Sequence, residues 1–182
     1  MTPSPLNRLA DAISCFSEWS GRALSWLTLA MALLTTTVVV MRYLLETSSI
    51  ALQESVTYLH ALVFLMGAAF TLKRGGHVRV DLIYRRLSLR HQALIDATGG
   101  LLLLLPVCAV IFWLSLDYVA ASWQVKETSY EPGGLPYVYL LKSLLLAMPV
   151  TLALQGLADI ISNTLFFLGH GGSHTEPHDG GL

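Results

Sequence analysis

This sequence has little charge. Asp, Glu, Lys and Arg make up 13% of its 182 residues, and the net charge is −1. Near-neutrality excludes the basic stripe of a nucleic-acid-binding protein. Cysteine is scarcer still, with two residues. Cys15 and Cys108 stand far apart, the second deep in an apolar run, so there is no disulfide framework and no metal-site spacing. No G-x-S-x-G, no H-E-x-x-H and no carboxylate pair at helical spacing occurs inside the apolar runs. No catalytic set is therefore expected, and the chain does not read as an enzyme. A bis-histidine haem needs histidines on facing spans. Only His60 lies within a span, where it reads as a hydrogen-bonding packing residue. His170, His174 and His178 are spaced four apart near Glu176 and Asp179, but glycines and Pro177 oppose the helix that would align them. The expectation is a solvated tail, with no cofactor and no metal.

What the sequence has is apolar residues, 54% of the total, gathered in blocks. The blocks are too long for the one-faced pattern of a surface helix. They indicate an all-α integral membrane protein with four transmembrane helices. The expected spans are residues 23–41, 50–72, 93–123 and 137–167, within a membrane domain of residues 22–168. Residues 1–21 form an N-terminal segment in which Leu6, Leu9, Ile13 and Phe16 recur at helical spacing. It reads either as an amphipathic helix on the membrane surface or as the water-side end of the first span. Residues 169–182 read as a flexible cytoplasmic tail.

Small residues and breakers punctuate the spans. Gly67, Ala68 and Ala69 in the second, and Gly99 and Gly100 in the third, let another helix approach closely. Gly75-Gly76 ends the second helix, Ser88 is a candidate N-cap for the third, and Pro106 kinks it. Between them lies a basic linker with Lys73, Arg74, Arg79, Arg85, Arg86 and Arg90, in which Val78, Leu82, Ile83 and Leu87 suggest a short interfacial helix. This concentration of cations puts the linker and both termini in the cytoplasm. The loops bearing Glu46, Lys126, Glu127 and Glu131 then face out.

Charges at membrane depth are costly and seek partners. Glu54, Asp117 and Lys142 lie at the same outer level, so Lys142 is expected to neutralise Glu54 or Asp117, the alternative being snorkelling to the headgroups.

The order Glu54, Tyr58, Gly67-Ala68-Ala69, Lys73-Arg74 and His77-Val78-Arg79-Val80-Asp81, with Arg42-Tyr43 closing the first span, resembles the DctQ-type small membrane subunit of tripartite ATP-independent periplasmic (TRAP) transporters. The resemblance covers most of the chain and stops before Gly169. It implies Arg42, Glu54, Tyr58, His77 and Asp81 as motif residues and an inner-membrane location. It also implies a large DctM-type permease as partner, and a periplasmic solute-binding protein docking on Glu46, Lys126, Glu127 or Glu131. The implied function is scaffolding for sodium-coupled uptake of an organic anion such as a carboxylate, with membrane lipids as surroundings. From the residues alone, a membrane-embedded redox subunit and a stand-alone transporter or assembly factor remain open.

Overall fold

A computed structural model of the chain describes residues 5–76, 84 and 87–169. His77 and Asp81, the interfacial helix expected in the linker and the histidines of the tail lie outside the described residues. The described chain is helical: α1 (Pro5–Leu44), α2 (Ile50–Lys73), α3 (Leu89–Gly99), α4 (Leu105–Gln124) and α5 (Val138–Phe167). Gly100–Leu104 joins α3 to α4 as a π-helical turn. Counting α3, the turn and α4 as one, four helices are long and apolar enough to cross a membrane.

α1 runs without a break through Arg22, so the N-terminal segment and the first span are one helix. At about 1.5 Å per residue it is roughly 60 Å long, about twice the hydrocarbon thickness.

Helix ends repeat one device. After α2, Gly75 takes φ +64°, its N–H bonds Leu72 O at 3.0 Å, and the Gly76 N–H bonds Thr71 O at 2.9 Å. This is a Schellman motif, as Gly-Gly suggests. α4 closes the same way without glycine: Lys126 (φ 47°) takes the left-handed position, its N–H bonds Trp123 O at 3.3 Å, and the Glu127 N–H bonds Ser122 O at 3.0 Å. α1 ends on a wider turn with Glu46 at φ 51°, where the Leu45 and Thr47 N–H groups both bond Met41 O, at 3.2 and 3.1 Å. At the start of α2 the Ser49 hydroxyl accepts from Leu52 N. Ser88 does hold the N-cap position of α3, but its hydroxyl is paired with His91 Nδ1 at 2.7 Å.

Pro106 explains the π turn. It has no N–H to give to Leu102 O, and its ring crowds that carbonyl. The helix widens just before it, and the Leu105 N–H reaches Gly100 O. Widening of this kind re-satisfies backbone groups freed by proline.

α5 is the hub. It packs against α1, α2, α3 and α4, α1 also packs on α2, and α4 rests principally on α5. It holds more of the buried positions than any other described helix: Pro149, Gln155, Gly156, Ala158 and Asn163. Close approaches use small residues. A methyl group on Gly100 would lie 2.8 Å from Ile160 Cγ1, one on Gly21 would overlap the Phe70 ring, and one on Gly156 would overlap Leu104. The outer faces are strongly apolar and exposed, including Trp26, Leu33, Leu102, Leu103, Trp113 and Leu114. A bilayer or another membrane protein solvates such a surface; water does not.

Candidate functional site

The structure has two polar poles joined by an apolar waist. At the acidic pole, Glu54 lies in the second turn of α2 and reaches the α4–α5 loop. Ser129 Oγ donates to Oε1, and the Leu135 N–H donates to Oε2 at 2.6 Å. The loop braces itself around this carboxylate. Ser129 N bonds Leu135 O at 3.1 Å, Gly134 N bonds Glu131 O at 2.9 Å, and Glu131 N bonds Ser129 Oγ at 3.1 Å. Gly134 has to lack a side chain, since a Cβ there would meet Ser129 Cβ at 2.6 Å and Glu54 Oε1 at 2.8 Å.

Lys142 therefore pairs neither with Glu54 nor with Asp117, as the sequence suggested. Its Nζ lies 2.5 Å from Glu127 Oε2 and 4.0 Å above the Tyr118 ring. Both partners are largely covered, at 16% and 17% side-chain exposure, so this is more than a loose surface pair. The physical reason is local. The bend at Lys126 turns Glu127 back over the start of α5, while Glu54 is already satisfied by the loop. The Lys142 ammonium, through its hydrogen bond, holds the Glu127 carboxyl below the usual carboxylate range. Asp117 is exposed.

Of the four expected docking residues, Glu127 is thus engaged within the chain. Lys126 is exposed, with its ammonium over the Trp123 ring at 4.2 Å and the Tyr139 ring at 4.8 Å. Glu46 and Glu131 are exposed. The aromatic belt is bonded into this pole, with Trp123 and Tyr139 edge to face at 4.8 Å and Trp123 Nε1 donating to Ser143 Oγ at 2.8 Å.

The basic pole has an organiser that the sequence reading missed. Glu18 on α1 accepts from Lys73 Nζ at 3.1 Å and from Arg74 Nε at 3.2 Å, with Arg74 Nη2 on its other oxygen. Arg22 Nε stands 3.6 Å away. The available signal was an acid one helical turn before Arg22, on the helix whose neighbour ends in Lys73-Arg74. At the start of α3, Gln92 Nε2 donates to Tyr84 O and Leu87 O, both at 3.1 Å, and Tyr84 OH donates to Asp96 Oδ2 at 2.7 Å.

The waist holds the small-residue positions. Ala69 is buried and Gly100 packs on Ile160. Gly67 and Gly99 seat no helix of this chain among the described residues, because a Cβ on either meets open space. α2 turns its Ala69 side inward and its Gly67 side outward. Gly67 and Ala68 line an open groove of about 400 Å³ with Val63, Phe64, Leu65, Thr71 and Met148. His60 is exposed on α2 and stacks on Phe64 at 6.2 Å, so it does not pack inside this chain. Of the remaining motif residues, Arg42 is exposed at the end of α1, and the Tyr58 hydroxyl is buried without a hydrogen-bond partner among the described residues.

No group of three or more metal-ligating side chains occurs among the described residues. Hydrogen bonds brace the described helices at both poles and leave the Gly67–Ala68 groove unfilled. Residues 31–165, well over half the chain, match the family described as tripartite ATP-independent periplasmic transporters, DctQ component. The chain belongs to the DctQ family. No curated protein and no solved structure matches it. As a DctQ component it is the small permease subunit of a TRAP transporter and a multi-pass inner-membrane protein. The family places it in a tripartite complex with a large permease and a binding protein.

Proposed function

We propose that this DctQ subunit is a static scaffold. It presents the Gly67–Ala68 groove to a helix of the large permease, and the assembled complex couples sodium entry to uptake of an organic anion such as a carboxylate. The observation that carries this reading is the contrast between the waist and the poles. Both poles are braced by internal hydrogen bonds, whereas α2 leaves a glycine and an alanine uncovered on an apolar face. Small residues at such a face let backbones approach, which is how helices associate in lipid. The orientation that fits puts the Glu18 pole, both termini and the basic linker on the cytoplasmic side. Glu46 and Glu131 then face the binding protein, with Lys126 beside them and Glu127 held inside by Lys142.

Reconstitution tests the proposal. Proteoliposomes holding the large permease, the binding protein and this chain are expected to take up a carboxylate when a sodium gradient is imposed, and to stop when this chain is left out. Uptake that persists without it contradicts the scaffold role. Uptake that ignores the sodium gradient contradicts the coupling.

A further inference from the structure

The basic pole carries a groove that the chain's own contacts leave unfilled. It runs along α1 beside the end of α2, measures about 490 Å³, and is walled by Asp11, Ser14, Glu18, Trp19, Arg22 and Lys73.

Its polar content is weighted toward unspent donors. Glu18 is engaged by Lys73 and Arg74. Lys73 gives one hydrogen bond to Glu18 among the described residues, and an ammonium has three to give. The Arg22 side chain is 76% exposed, and its Nε, at 3.6 Å from Glu18, lies beyond hydrogen-bond distance. A guanidinium fork, an ammonium and the Ser14 hydroxyl thus converge on the groove. An acceptor-rich anion satisfies them, and planar Arg suits phosphate oxygens in particular.

Position within the bilayer selects the kind of anion. Arg22 stands immediately before the apolar run of α1, and Lys73 is the last residue of α2. Both therefore sit where hydrocarbon gives way to headgroups. Trp19, exposed on the same side, is a residue type favoured at that level. We infer that this groove binds the phosphodiester of a membrane phospholipid. Arg22, Lys73 and Ser14 donate to its oxygens, and Trp19 lies against the glycerol. Asp11, at the water end, accepts from a headgroup that carries its own N–H or O–H. Such a site goes beyond scaffolding and requires only that α1 and α2 cross a bilayer.

The test uses the full-length chain in detergent with whatever membrane partner it retains. It is delipidated and then supplied with dioleoylphosphatidylglycerol, and bound lipid is counted by native mass spectrometry. The unsubstituted chain should retain the lipid, and Arg22→Gln should weaken retention about tenfold, the scale of one lost charge-assisted contact. Arg22→Lys should recover part of the loss. Arg42→Gln, at the opposite end of α1, should leave this binding unchanged. Equal weakening by the Arg22 and Arg42 substitutions would mean undirected headgroup attraction and overturn the site. No effect of Arg22→Gln overturns it as well. Inorganic phosphate is the second arm: if it displaces the lipid at comparable concentration, the groove is a free-anion site and the lipid assignment fails.

Discussion

The Glu54 carboxylate accepts the backbone N–H of Leu135 at 2.6 Å, joining α2 to a loop 81 positions further along the chain. With Ser129 on its other oxygen, it fixes the outer end of the bundle. Glu54→Ala should lower stability, because it removes a charge-assisted hydrogen bond and leaves the Leu135 N–H without its partner. Glu54→Gln keeps an acceptor and should cost less. Thermal unfolding in detergent gives the order, and proteolysis within residues 127–136 should accelerate in the alanine variant. Unchanged stability and cleavage in both variants would remove the clamp from the account.

A second prediction concerns Lys142 and Glu127. Exchanging the two charges should restore much of what either single reversal loses. Exchanging Lys142 with Glu54 should restore nothing. The pH dependence has a fixed sign. The Glu127 carboxyl is held below its ordinary value of 4.5 in the folded chain, so its contribution is fully present above that value. It is lost as pH falls through the lowered folded value. Between pH 7 and pH 5, stability should therefore depend little on this pair; below about pH 4.5, the unsubstituted chain should lose its advantage over Glu127→Gln.

Glu46 offers a test of the backbone. It takes φ 51° at the end of α1, a conformation that disfavours side chains with a Cβ. Glu46→Gly should raise stability by roughly 0.5–1 kcal/mol, the strain relieved less the extra freedom gained by the unfolded chain. Glu46→Val, branched at Cβ, should lower it. A melting temperature that moves the other way would show that the end of α1 is not held in this turn.

These outcomes separate what was legible in the sequence from what was not. The spans were legible because their signal is local: an apolar run long enough for a bilayer, bounded by Arg22, Gly75-Gly76 or the polar stretch around Glu131. The Lys142 partner was not, because the choice depends on a loop folding back onto a helix 75 positions earlier, where Ser129 reaches Glu54. Glycine signals were legible as to kind but not direction. Gly67 and Gly100 read alike in sequence, yet only Gly100 faces α5. Which side of a helix turns inward follows from α5 being the hub, and no single span carries that information. Glu18 was missed because its partners, Lys73 and Arg74, come from another helix.

Gly67 gives the most direct test of the central claim, that α2 presents an assembly face. A side chain at Gly67 meets nothing within this chain, whereas one at Gly21 meets the Phe70 ring. Gly21→Leu should therefore destabilise the isolated chain by about 1–3 kcal/mol through overpacking. Gly67→Leu should leave the isolated chain as stable as before. The decisive measurement is recovery of the large permease when tagged Gly67→Leu subunit is purified from membranes in which both are made. The account predicts that the permease is lost while the subunit remains folded. A permease recovered in full with Gly67→Leu would contradict it.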